Sequence, residues 1–111
     1  MNTVTIIGRL TRDPELGYTQ SQKAKCTFTV AVNRLNSDSD FIRVTAWNKQ
    51  AENCEKHLVK GDQVGVKGSI KTGSYEKDGR KINTFEIWAD EVEFLQKKKN
   101  EFAEMDEAVP F

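Results

Sequence analysis

Cysteine and histidine are scarce in this chain of 111 residues, and the scarcity closes whole classes of function. Cys26 and Cys54 lie far apart, with no CxxC pair and no histidine cluster around the single His57, so neither a zinc site nor a disulfide scaffold is indicated. No Walker sequence, GxGxxG or HExxH occurs either. Cys54 and His57 stand three apart on a predicted helix, but a nucleophile also needs an oriented base and an oxyanion site, and no third group is evident. No enzyme activity, cofactor or metal site is therefore expected. Long apolar runs are missing too: nothing approaches a membrane span, and Met1-Asn2-Thr3-Val4 leads straight into a strand pattern without a basic segment or signal core. The expectation is a cytoplasmic protein.

Net charge is also lacking, with 17 basic and 17 acidic side chains, yet the zero hides an asymmetry. Residues 1–100 carry an excess of +4, while Glu101, Glu104, Asp106 and Glu107 give the last eleven residues −4. Such a split suggests an anionic ligand for the body and a separate task for the tail.

What is present is a succession of alternating segments in a length that suits one small domain. Val4, Ile6, Gly8 and Leu10 alternate against Thr5, Ile7 and Arg9, and Asp13-Pro14 breaks this first strand. The polar stretch 12–23 reads as a connecting loop. Residues 24–33 then place Ala24, Cys26, Phe28, Val30 and Val32 on one face, and a polar turn over 36–40 leads to a third strand, Phe41 to Trp47. Asn48 as N-cap and Lys60-Gly61 as stop bracket a short helix over 49–59. Val64, Val66, Gly68 and Ile70 form the next apolar stripe, Lys77-Asp78-Gly79-Arg80 is a hairpin signal, and the returning strand carries Phe85, Ile87 and Ala89 on its apolar side. Three strands, a helix and a two-stranded hairpin is the order of an all-β, five-stranded OB-fold barrel with one helix between strands 3 and 4; a helix-capped open sheet has the same order.

The third strand carries the functional signal. Ile42, Val44 and Ala46 share its core face, which leaves Phe41 and Trp47 outward beside Arg43 and Thr45. Flat rings mixed with cations suit the stacking of unpaired bases, since every base has a π-face and every nucleotide a phosphate. A loop or a second subunit covering the rings is the competing explanation. The fourth strand repeats the pairing, with Tyr75 outward among Lys67 and Lys71, and Lys49, Lys77, Arg80 and Lys81 extend the cationic track. Trp88 shares a face with Glu86, whose carboxylate argues against a phosphate path, so a subunit contact or a covering loop is expected for it. At the end of the chain, acidic residues precede Val109, Pro110 and Phe111; a terminal ring bearing a free carboxylate suits a pocket with an apolar floor and a basic rim, whereas a solubility tail has no reason to end this way.

In order and spacing these segments resemble the bacterial and phage single-stranded DNA-binding protein family. The resemblance rests on Met1-Asn2 with Gly8-Arg9-Leu10 and Asp13-Pro14-Glu15, on Phe41 to Val44 and Trp47-Asn48-Lys49, on Ala51-Glu52 and Lys60-Gly61-Asp62, and on Val66, Gly68, Thr84 to Ala89, Val92, Phe94-Leu95 and Pro110-Phe111. It implies an OB-fold over 1–96, usually in a homotetramer, that wraps single-stranded DNA without sequence preference during replication, recombination and repair. It further implies base stacking at Phe41, Trp47 and Tyr75 and phosphate contacts at Arg43, Lys49, Lys60 and Lys71. A disordered acidic tail within 97–111, with Asp106, Glu107, Val109, Pro110 and Phe111, would recruit partner enzymes. Three departures stand out: Leu35-Asn36 lacks a Trp that many members carry, Phe41 and Tyr75 stand where Trp is common, and only Gln96 to Asn100 separates body from tail.

Overall fold

A computed structural model describes residues 1–96 of the chain. The tail expected over 97–111, including Asp106, Glu107, Val109, Pro110 and Phe111, lies outside the described residues. The elements are β1 (Val4–Leu10), β2 (Glu15–Tyr18), β3 (Ala24–Asn33), β4 (Ser39–Trp47), α1 (Asn48–His57), β5 (Gln63–Lys77) and β6 (Arg80–Gln96).

Five of the strands close a ring. β1 pairs antiparallel with β5, β5 with β6, and β4 with β3, while β6 meets β4 in parallel at Val44↔Ile87 and Thr45↔Trp88. The ring shuts where β3 returns to β1, at Arg9↔Ala31 and Leu10↔Val30. This is the OB-fold barrel, with α1 between its third and fourth ring strands. Close approach at the seam requires Gly8: a Cβ there would run into the carbonyl oxygen of Ala31 and lie 2.7 Å from Val30 Cγ1. The alternation is realised as burial, since Leu10, Cys26, Phe28, Val30, Val44, Ala46, Val64, Val66 and Ile87 fill the interior. Ala51, Cys54 and Leu58 of the α1 segment join them.

Three local expectations are corrected. The stretch read as a loop contains β2, which pairs with β3 from Glu15↔Thr27 to Tyr18↔Ala24. β1 covers only two residues of the ten-residue β3 edge, so the backbone groups beyond them need partners. After Asp13-Pro14 the chain rejoins that edge, and because pairing uses backbone atoms, little apolar pattern marks the strand. Asn48 does not cap α1: Trp47 occupies the cap position without a side-chain bond, and Asn48 opens the helix at φ +59, a left-handed conformation that Asn tolerates. Ile70 and Phe85 are 36% and 53% exposed although they continue the apolar stripes. From Lys71↔Glu86 outward, β5 and β6 leave the barrel as a two-stranded arm whose core-side positions have nothing to pack on. The arm turns at Asp78 and Gly79, with φ +53 and +76, as the Asp-Gly pair predicts.

The segment after α1 is tied to the end of β1. Gly61, at φ +93, donates its N–H to Leu10 O at 2.9 Å, and Leu10 N–H donates to Asp62 O at 3.0 Å. At the other end of β1, the Asn2 side chain bonds both Ile70 O and Ile70 N–H, at 3.0 and 2.9 Å, and so imitates one further residue pair of the ladder.

Candidate nucleic-acid interface

β4 presents Phe41, Arg43, Thr45 and Trp47 on its outward row, opposite Ala31, Thr29, Thr27 and Lys25 of β3. The β3 neighbours of Phe41 and Arg43 are small, so Phe41 stays 69% exposed and Arg43 projects from the sheet. Beside them an open cleft of about 380 Å³ runs between β3, β4 and the β1–β2 corner; Phe41, Arg43, Thr29 and Arg12 line it, as do Asp13 and Glu15. Arg12 escaped notice in the sequence because it falls in the stretch read as a loop. The Lys60 backbone N–H donates to Asp13 Oδ1 at 2.8 Å, which holds the Lys60 turn next to the cleft residue Asp13.

The parallel junction Thr45↔Trp88 adds a second ring to this face. The rings of Trp88 and Trp47 meet in a T-shaped, edge-type contact, with centroids 5.3 Å apart and planes at 62°. The sequence suggests a subunit contact or a covering loop for Trp88; within this chain it stands beside Trp47 on the outward aromatic face. The Glu86 carboxylate is engaged locally, for Oε1 accepts from Trp88 Nε1 at 2.6 Å and from Thr45 Oγ1 at 3.3 Å, and Oε2 stands 3.9 Å from Arg43 Nε. Two ammonium groups face the rings: Lys25 Nζ is 5.6 Å from a Trp47 ring centroid and Lys71 Nζ 4.9 Å from one of Trp88. Trp47 Nε1 is buried without a hydrogen-bond partner.

The cross-strand register sorts the arm into two faces, because directly opposed residues point the same way. Tyr75, 51% exposed, shares the face of Lys71, Glu86 and Trp88 together with Lys77 and Arg80. Lys81 points to the other side with Phe85, an exposed ring assigned to the core from sequence alone. Lys49 is exposed in the first turn of α1, two residues beyond Trp47. Lys67 is not gathered to this site: it lies between Thr5 and Glu91 on a surface shared with Ile7, Glu93 and Leu95.

Cys54 has the opposite of what a nucleophilic thiol needs. Burial and, secondarily, Cys26 push the Cys54 thiol up to about 12, and burial followed by Glu55 pushes Cys26 up to about 11. An activated thiol needs a lowered pKa. The His57 ring packs against Phe94 with centroids 5.9 Å apart. Among the described residues, no group of three or more His, Cys, Asp or Glu is arranged to hold a metal ion, and no helix is long and apolar enough to cross a membrane.

Residues 1–95 match the sequence profile of the Single-strand binding protein family. The chain is 45% identical over 107 residues to single-stranded DNA-binding protein 3 of Listeria innocua, covering 90% of this chain and 67% of the relative. It is 46% identical over 103 residues to the single-stranded DNA-binding protein of Halalkalibacterium halodurans, covering 86% and 61%. A Staphylococcus aureus single-stranded DNA-binding protein is 41% identical over 113 residues, covering 96% and 72%. The chain thus spans between three fifths and three quarters of these relatives' lengths. With the closed ring of strands in agreement with that match, the chain belongs to the single-strand binding protein family.

Proposed function

We propose that this chain binds single-stranded DNA without sequence preference and protects it during replication, recombination and repair in the cytoplasm. The observation that carries the reading is the exposure of Phe41 and Arg43 on the same face as Trp47, with lysines standing over the indoles. Phe41, Trp47 and Tyr75 stack on splayed bases, each stack contributing about 1 to 3 kcal/mol. Arg43, Lys49, Lys60, Lys71, Lys77, Arg80 and Lys81 contact phosphates, and Lys67 is reached only by a strand that wraps round the barrel. The process is binding and not a reaction: cations draw in the backbone, rings hold the bases, and the bound strand cannot re-pair.

The body, residues 1–96, also carries the oligomer contacts of a homo-oligomer, a tetramer by family likeness. Supporting this, β1 pairs with β5 on one side and with β3 only at Arg9 and Leu10, so its other edge over Val4–Gly8 has no ladder partner among the described residues. Ile7 of β1 and Leu95 of β6, 55% and 43% exposed, share the outward surface that β1, β5 and β6 form. In residues 97–111, Asp106, Glu107, Val109, Pro110 and Phe111 recruit replication and repair enzymes through acidic charge and the Phe111 ring.

The test is a titration with oligo-dT and with duplex of equal length at low and high salt. Binding of oligo-dT that exceeds duplex binding and weakens as salt rises is the expected result. No binding to either would hand the rings to a protein interface, and subunits that dissociate when Phe41 or Trp47 is replaced would support that alternative.

A further inference from the structure

We infer that Trp88 is a base-stacking residue in its own right, and that Glu86 is the positioning residue that holds its ring ready. The inference rests on the single-stranded DNA reading above and adds a platform to it.

Four observations converge on Trp88. Trp88 remains 37% exposed although its ring meets that of Trp47 in an edge-type contact, which leaves part of it accessible to a flat ligand. Its indole N–H is tied to Glu86 Oε1 at 2.6 Å, which restrains the side-chain torsions before any ligand arrives. Ordering that is complete beforehand is not charged against binding. Over the ring stands Lys71 Nζ, 4.9 Å from the centroid, where a base would lie. An exposed cation–π contact contributes only about 0.5 to 1 kcal/mol, so a base displaces the ammonium readily, and the freed charge then meets that nucleotide's phosphate. Finally, Trp88 occupies the junction between two otherwise separate groups of rings. β4 carries Phe41 and Trp47, the arm carries Tyr75, and only the parallel contact Thr45↔Trp88 joins the two rows on one face. A strand leaving Trp47 for the arm passes over Trp88.

The carboxylate beside the ring does not repel this path as an isolated charge would. Glu86 is matched by Arg43 and accepts from Thr45 and Trp88.

The chain contains only two tryptophans, which makes the test direct. In full-length Trp47→Phe, Trp88 is the sole indole, and its emission is followed during titration with unlabelled oligo-dT while anisotropy of fluorescein-labelled oligo-dT reports binding independently. Saturable quenching of Trp88 that tracks the anisotropy curve is expected. Trp88→Ala should weaken oligo-dT binding by roughly 5- to 150-fold, with Trp88→Phe restoring most of it. Glu86→Leu should reduce the quenching amplitude, whereas Glu86→Gln, which keeps an acceptor for the indole, should preserve it. Binding by anisotropy with unchanged Trp88 emission would overturn the inference and leave the single-stranded DNA reading intact. Absence of binding at low salt would overturn both. Should Trp88→Ala fail to fold, the Trp47→Phe titration decides alone.

Discussion

Arg43 Nε lies 3.9 Å from Glu86 Oε2 at the centre of the outward aromatic face, with the arginine side chain 61% and the glutamate side chain 26% exposed. A pair so open to water is worth about 0 to 1 kcal/mol. A phosphate can therefore take Arg43 from Glu86 at little cost. Until then the carboxylate keeps the guanidinium near the rings and holds Thr45 and Trp88 from its other oxygen.

Replacing Glu86 by Gln separates these roles. The amide oxygen still accepts from Trp88 and Thr45, but the negative charge is gone and Arg43 is free for phosphate. Oligo-dT binding should tighten by roughly 3- to 10-fold at low salt, about 1 kcal/mol. The gain should fade toward 1 M salt, where the Debye length is only about 3 Å. Anisotropy titrations at several salt concentrations check it; a variant that melts normally yet binds no tighter at low salt would contradict the account.

Phe41 offers a cleaner test of stacking than Trp47, whose ring packs on Trp88. At 69% exposure Phe41 contributes little to the core, so Phe41→Ala should leave stability within about 0.5 kcal/mol. Oligo-dT binding should fall by about 1 to 3 kcal/mol, roughly 5- to 150-fold. Thermal melting and native mass measurement on the same sample separate lost stacking from lost assembly. Weakened binding by an intact oligomer is expected; dissociated subunits would assign the ring to an interface.

The ring of strands was legible because alternation is a local signal. Residues 24–33 alternate cleanly, and the Asp78-Gly79 pair marks its turn without reference to anything distant. What stayed hidden depends on relations between remote segments. β2 is held by backbone pairing to β3 and needs little apolar pattern. Ile70 and Phe85 sit on the predicted faces, but alternation says which way a side chain points and not where along the strand the core ends. Phe41, Arg43 and Trp47 could be grouped from one strand. Trp88 could not, since its contact with Trp47 follows from a parallel register between β4 and β6 that no local period reveals. The three local partners of Glu86 are likewise invisible in the sequence, where its carboxylate reads as an isolated charge.

The barrel seam predicts a sharp difference between two glycines. A Cβ at Gly8 would strike the Ala31 carbonyl oxygen and stand 2.7 Å from Val30 Cγ1, whereas nothing lies within 4 Å of one at Gly17. Gly8→Ala should destabilise by about 1 to 3 kcal/mol, as overpacking does when backbone must shift. Gly17→Ala should change stability by less than about 0.5 kcal/mol. Urea unfolding gives both values, with the midpoint moving and the slope unchanged if only native packing is affected. Equal effects at the two positions would mean that the β1–β3 seam is looser than its geometry indicates.

The two thiols set an alkaline limit on stability. Both sit in the core, and burial first, then Glu55 for Cys26 and Cys26 for Cys54, push them up to about 11 and about 12 from 9.0. Below pH 9 both groups are protonated in folded and unfolded chains, so their contribution is fully present there. As pH rises through 9 toward 11 or 12, the unfolded chain ionises them while the folded chain resists, and stability falls. The urea midpoint should therefore drop between pH 9 and 11 in the parent, and drop less in Cys26→Ala/Cys54→Ala once the neutral-pH cost of the cavities is subtracted. A thiol reagent at pH 8 should find both cysteines unreactive in the folded protein and both reactive in urea. Rapid modification of the folded chain would place a thiol outside the core and remove this source of pH dependence.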